Sequence, residues 1–260
     1  MPAEKDWKTL RDGPLYEDDA ALVLNKPAGI AVTGERHETD LVQLAAEAGE
    51  TLYPAHRIDK VTSGAVLFAK TLAHHGDLTR QFNRRTVSKT YLAITRSTGL
   101  PEYGRIELPL SVGRKNRVRV AAERANIVAD DHRWTVPPDA VFTHVPTYPS
   151  TTVFATVWTD GTHTLLAVRP ITGRRHQIRV HLAWIGHELV GDPLFHRVSA
   201  DQRTLLHSWR LAFDAAWLAG RRIAVTALPS ADFWLPAGIE TEETLLRQAE
   251  DRLSRLAGQS

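Results

Sequence analysis

The chain reads as an α+β protein built on a mixed, largely antiparallel sheet with flanking helices and loops. Three observations lead there: short β-rich runs outnumber helical ones, turn signals join neighbouring runs into hairpins, and only a few segments carry helical spacing. The strand-like runs fall at residues 21–25, 65–69, 90–95, 105–110 and 117–120, each short and rich in aliphatic or β-branched residues. Residues 151–158 and 163–168 flank Asp160-Gly161, a hairpin signal, and 205–213 and 222–228 follow as further strands. Helices are predicted at 40–48, 72–84, 175–185 and 242–256, the last with Leu245, Leu246, Ala249, Leu253 and Leu256 as its apolar stripe. For the 175–185 helix, Thr172 is the expected N-cap, Ile178, Leu182 and Ile185 the apolar face, and Gly186 the stop. That reading makes the helix amphipathic and puts Arg175 and Arg179 four apart on one face, offering two guanidinium groups to an anion.

Composition narrows the class without naming it. A chain of 260 residues, 43% hydrophobic, can bury a substantial core as one large domain or two closely joined lobes. Zero Cys excludes disulfides and thiolate zinc sites. No apolar run approaches membrane-spanning length, and Glu4, Lys5, Asp6 and Lys8 leave no signal-peptide core, so a cytoplasmic protein is expected. Formal net charge is only +2, and any polyanion-binding role must rest on where the charges fall. Arg80, Arg84, Arg85 and Lys89 form one basic group, Arg114, Lys115, Arg117 and Arg119 a second, and Arg169, Arg174, Arg175 and Arg179 a third. Each alone reads as a solvated face; three of them flanking the motifs below read as a track for nucleic acid. Between Asn126 and Ser150 the periodicity fails, and Pro137, Pro138, Pro146 and Pro149 crowd His132, Trp134, Phe142, His144 and Tyr148, which predicts a loop that orders on binding or a plain excursion.

The most informative stretch is His56-Arg57-Ile58-Asp59-Lys60-Val61-Thr62-Ser63-Gly64. Arg57 and Lys60 favour the charged form of Asp59, and Thr62, Ser63 and Gly64 give a turn before a buried strand, so Asp59 sits on a loop entering a sheet. Downstream stand Arg169-Pro170-Ile171-Thr172-Gly173-Arg174-Arg175-His176-Gln177-Ile178-Arg179-Val180-His181-Leu182 and the closing Gly191-Asp192-Pro193-Leu194. Between them lies Gln81-Phe82-Asn83-Arg84-Arg85-Thr86-Val87-Ser88-Lys89-Thr90-Tyr91, and ahead of them Leu22-Val23-Leu24-Asn25-Lys26-Pro27-Ala28-Gly29. In this order the segments resemble the RluA-type pseudouridine synthases, over roughly Tyr16 to Leu228. The resemblance implies that family's catalytic fold, with Asp59 catalytic, Tyr91 packed on the target base, Arg179 paired with Asp59, and Arg57 taking the place of the flipped base in the RNA duplex. Ile178 and Leu194 would line the pocket, and Arg175, Arg84 and Lys89 would meet the RNA. Ile58 stands where Leu is usual, Lys60-Val61 replaces a pair that often has an acidic residue or proline second, and Arg175 stands where Thr or Lys is common; none touches the implied chemistry. Residues 16–260 are expected to form a single catalytic domain after a 1–15 extension, with 126–150 as a loop insertion and no separate N-terminal RNA-binding domain.

The implied reaction isomerises uridine to pseudouridine within ribosomal or transfer RNA, with no metal and no cofactor, by a protein expected to be a monomer. A carboxylate can act there by attacking, by removing a sugar proton, or by stabilising positive charge on the ribose, and the sequence leaves all three open. A noncatalytic RNA-binding or RNA-remodelling protein of the same fold is the alternative, opposed by the intact set Asp59, Tyr91 and Arg179. A metalloenzyme drawn from the twelve His lacks HExxH spacing, and a glycoside hydrolase lacks a marked second carboxylate.

Overall fold

A computed structural model describes residues 6–34, 39–113, 117–195, 202–240 and 242–257, with side chains of the last helix described as far as Arg255. Two units emerge, one from residues 1–90 and 206–230, the other from 91–205 and 231–260.

In the first unit the continuous apolar runs lie in mid-sheet. Strands β1 (Tyr16–Glu17), β2 (Ala21–Lys26), β4 (Ser63–Ala69), β14 (Leu206–Ala215) and β15 (Arg221–Thr226) pair in that order, and β3 (Tyr53–Pro54) also pairs with β4. Every residue of β4 is buried, the pattern of a strand covered on both faces. β4 runs parallel to β14, with Ser63 opposite His207 and Gly64 opposite Ser208. Gly64 has φ +108°, and a Cβ there would lie 2.2 Å from the Ser208 carbonyl oxygen, so only glycine fits. Helices α1 (Trp7–Arg11), α2 (Leu41–Glu47) and α3 (Leu72–Arg84) complete the unit. Asp40 caps α2 by accepting from Gln43 N–H at 3.0 Å and ties down the preceding loop through Gly34 N–H at 2.8 Å. On α3, Leu78 enters a core with Val23, Leu67, Leu211 and Phe213, and the Gln81 amide bonds both backbone groups of Asp214 on β14.

In the second unit β5 (Ser88–Thr95, from Tyr91 onward), β13 (Thr164–Pro170), β12 (Thr152–Thr159), β6 (Tyr103–Glu107), β10 (Arg133–Thr135) and β9 (Val128–Asp130) make one sheet in that order. All its pairings are antiparallel except β10 with β6. The expected hairpin is present as β12–β13, closed at Asp160-Gly161 with Gly161 at φ +89°. A small antiparallel sheet contains β11 (Thr147–Tyr148), β7 (Leu110–Val112) and β8 (Val118–Val120). Helix α4 is Gln177–Trp184, α5 is Ala231–Trp234, and α6 (Glu242–Ala257) packs on β12 and β13 with Leu245, Ala249 and Leu253 buried.

Several expectations need correcting. Ser63 and Gly64 belong to the strand, not to the turn before it. The predicted 105–110 strand is two, because Pro109, with no N–H, separates β6 from β7. The 126–150 stretch is not a plain loop: it carries β9, β10 and β11, pieces of two or three residues too short to show a period. Most consequential is α4, which begins at Gln177 rather than Arg175, behind His176 in a left-handed conformation at φ 55°. Thr172 is therefore not its N-cap. The helix is also not amphipathic, since Gln177 to Ala183 are all buried, and Arg175 sits in the preceding turn and shares no helical face with Arg179. The Leu256 side chain of the predicted stripe, and Arg114 and Lys115 of the second basic group, lie outside the described residues. No described helix is long and apolar enough to cross a membrane.

Candidate functional site

Asp59 lies on the loop between β3 and β4, partly exposed, with Arg57 exposed and Ile58 buried between them. The loop is held from several directions. Thr62 N–H donates to the Asp59 carbonyl at 3.0 Å, closing the turn over Lys60-Val61. Lys26, 1% exposed, reaches under this turn and donates Nζ protons to the carbonyls of Ile30 (2.7 Å), Pro27 (2.8 Å) and Lys60 (3.4 Å), while Gly29 N–H also bonds the Lys60 carbonyl at 2.7 Å. The Lys-Pro-Ala-Gly motif is thereby a cradle for the Asp59 turn. Beyond the turn, Ser63 Oγ lies 2.7 Å from His207 Nδ1, and His207 Nε2 lies 2.9 Å from the Ala227 carbonyl. A carbonyl only accepts, so Nε2 carries the proton and Nδ1 accepts from Ser63. Before the turn, His56 Nε2 accepts from Leu67 N–H at 3.1 Å, and its ring stacks on Phe82 at 4.4 Å. Burial, helped by the nearby Lys89 charge, pushes the His56 imidazole down to about 3, so His56 is a neutral packing residue.

Of the basic residues expected to meet the RNA, Arg84 is exposed in the last turn of α3. Lys89 lies 6.0 Å from the Phe82 ring centroid, and burial, with Arg85 adding repulsion, lowers its pKa. Arg85 ends α3 in the left-handed region at φ 61°, a place glycine usually takes.

In the second unit Tyr91 is 9% exposed on β5, opposite Val168 of β13. Ile178 and Arg179 are 6% and 3% exposed on α4. Arg179 forms a buried bidentate pair with Asp192: Nε donates to Oδ2 at 2.7 Å and Nη2 to Oδ1 at 2.8 Å. Asp192 Oδ1 also accepts from Leu194 N–H at 2.9 Å, which shapes the Gly-Asp-Pro-Leu turn. Leu194 itself is exposed, and Phe195 lies with its ring centroid 5.8 Å from the Arg179 guanidinium carbon.

A helix buried on all sides must satisfy its polar side chains internally, and α4 does. Gln177 Nε2 donates to Thr151 O (2.9 Å) and Thr152 Oγ1 (3.0 Å), and its Oε1 accepts from Thr172 Oγ1 (2.6 Å) and Arg174 N–H (3.0 Å). His181 Nε2 donates to the Leu108 carbonyl at 2.9 Å, so Nδ1 accepts from Thr152 Oγ1 at 2.9 Å. Burial pushes the His181 imidazole down to about 4. Among the described residues no cluster of His, Asp or Glu is arranged to hold a metal ion.

The family described as RNA pseudouridylate synthase matches residues 20–184. The chain belongs to it. Among relatives, it is 33% identical over 224 residues to the tRNA pseudouridine synthase C of Pasteurella multocida, covering 76% of this chain and 84% of that one. It is 30% identical to the dual-specificity RNA pseudouridine synthase RluA of Escherichia coli, over 80% of this chain and 87% of that one. It is 33% identical to the ribosomal large subunit pseudouridine synthase D of Nitrosomonas europaea, spanning 76% of this chain but only 56% of that relative. The solved structure of human RNA pseudouridylate synthase domain containing 4 superposes with a TM-score of 0.69 over 95% of each chain at 22% identity, which establishes the shared fold.

Sequence reading assigned no role to Lys26, Ser63, His207, Gln177 or Asp192. Lys26 and Asp192 sit inside the quoted motifs, flanked by proline and glycine, and a charged residue so placed signals a buried turn. Ser63 and His207 are 144 positions apart, and nothing local pairs them.

Proposed function

We propose that this chain isomerises uridine to pseudouridine within a structured ribosomal or transfer RNA, with Asp59 as the catalytic carboxylate. The family match over residues 20–184, which contains Asp59, Tyr91 and Arg179, carries this reading. The relatives named for transfer RNA, for large-subunit ribosomal RNA and for dual specificity supply the substrate class without choosing within it. In the reaction the C1′–N1 bond breaks, the uracil turns in place, and C5 joins C1′; N1 gains a proton and C5 loses one, so nothing is oxidised or consumed.

The turn bearing Asp59 suits that task. It is partly exposed and so can meet a flipped-out nucleotide, yet its backbone is fixed by Lys26 and by the β4–β14 pairing, so no ordering remains to be done when RNA binds. Tyr91 is assigned to stack on the base and Arg179, held by Asp192, to keep Asp59 in place; both roles come from the family motifs. Flipping a base costs a few kcal/mol, and one aromatic stack offsets roughly 1–3 kcal/mol of it. The test is purified protein incubated in chelator with RNA from a strain lacking the gene. Wild type should form new pseudouridine and Asp59→Asn none, while RNA binding by the variant stays near normal. Pseudouridine made by Asp59→Asn would remove Asp59 from the chemistry.

A further inference from the structure

Tyr148 on β11 is 42% exposed, and the guanidinium carbon of Arg174 lies 5.3 Å from its ring centroid. Arg174 is exposed as well. A surface cation–π pair adds little to folding, yet both halves of this one are mounted rigidly. Tyr148 pairs with Leu110 of β7, its carbonyl accepts from Ser150 Oγ at 3.0 Å, and the following Pro149 confines it to extended backbone. Arg174 N–H is fixed by Gln177 Oε1 at 3.0 Å, and Thr172 Oγ1, bonded to the same Oε1, accepts from Thr151 N–H at 3.0 Å. One buried network therefore anchors the two segments that present the ring and the guanidinium. Those segments, residues 143–152 and 169–179, contain Arg169, Arg174, Arg175 and Arg179 and no Asp or Glu.

We infer that Tyr148 and Arg174 form a stacking site for an unpaired nucleotide of the RNA, distinct from the uridine that is isomerised. A flat ring for the base beside a planar, permanently charged guanidinium for base or phosphate is the combination that single-stranded nucleic acid recognises. Tyr91, assigned to the reacting uracil, is nearly buried and on another strand, so the exposed ring serves a different nucleotide. The inference rests on the RNA substrate proposed above and extends it: the 126–150 stretch supplies a grip on RNA flanking the target.

The test measures binding of a fluorescently labelled ten-residue oligouridylate, and of an abasic phosphodiester strand of equal length, to the full chain and its variants, with pseudouridine formation on RNA from the deletion strain assayed in parallel. Tyr148→Phe should bind oligouridylate within about twofold of wild type, and Tyr148→Ala should bind it at least about fivefold more weakly. On the abasic strand the three should agree. Arg174→Ala should weaken both strands and lower the salt slope by about one. Tyr148→Leu, which keeps apolar bulk without a flat ring, should lose affinity like alanine while melting like wild type. Oligouridylate binding by Tyr148→Ala equal to wild type, or an equal loss on both strands, overturns the stacking site. Wild type that shows the ring dependence but makes no pseudouridine refutes the enzyme reading and leaves the site standing.

Discussion

Replacing Asp192 with Asn tests the part of the site that the structure adds to the motifs. The substitution keeps the size of the side chain and its Oδ1 acceptor for Leu194 N–H, so the turn survives, but it removes the charge facing Arg179. Arg179 and Asp192 are 3% and 1% exposed, and both bonds between them are short and charge-assisted. Breaking such a buried pair takes from Arg179 the charge that meets its Nε and Nη2, and costs about 3–5 kcal/mol. With an unfolding entropy of roughly 2.1 cal/mol/K per residue over a chain of 260 residues, Tm should fall by about 5–9 °C. Single-turnover pseudouridine formation should slow as well, because a loosened Arg179 no longer fixes its partners, while RNA affinity changes little. Arg179→Met combined with Asp192→Leu should recover most of the stability and none of the activity, separating packing from positioning. A melting temperature for Asp192→Asn within about 1 °C of wild type would refute the view that this pair anchors Arg179.

Tyr91→Phe should retain RNA binding and Tyr91→Ala should lose it; a slowed chemical step in phenylalanine alone would make the hydroxyl a proton-transfer group, and wild-type activity in both would return Tyr91 to the core. Neutralising Arg114, Lys115 and Arg117 together should weaken RNA binding and flatten its salt dependence with turnover at saturation unchanged, and an unaltered slope would assign the cluster to a solvated face. The part-buried His56 and fully buried His181 imidazoles predict acid sensitivity. His56 and His181, pushed to about 3 and about 4, stay neutral when folded but take up protons near pH 6.5 when unfolded. Stability is therefore intact above pH 6.5 and falls as pH drops from there toward 4, by about 1.4 kcal/mol per pH unit for each group. Denaturant midpoints at pH 7.5 and 5 should show this, with a smaller difference in His181→Gln; equal differences would remove His181 from the account.

The central strands were legible because burial on both faces demands uninterrupted apolar runs, as at β2 and β4, and because Asp160-Gly161 has few alternatives to a hairpin. The place of Asp59 on a loop entering a sheet was legible from the residues around it. Helix α4 was misread for a physical reason: apolar periodicity assumes that polar residues face water, whereas Gln177, Arg179 and His181 face buried partners. A helix satisfied in that way has no wet side for a pattern to mark. Of the short strands, β10 and β11 are fixed by β6 and β7, far away in sequence, and β9 by β10; two or three residues cannot display a period of two.

The pairing of Ser63 with His207 also bears on how the chain matures. Ser63 of β4 is completed by a residue of β14 that emerges 144 positions later, after residues 91–205 of the second unit have been translated. At a ribosomal rate of about 5–20 residues per second, the Asp59 turn waits about 7–29 s for the strand that braces it. Until then the Ser63-Gly64 end of β4 lacks its β14 partner. The Asp59 turn would thus lack its brace until β14 has been translated, and a slowed decoding of the β14 codons would be expected to lower the yield of folded protein more than the same delay placed anywhere downstream of it.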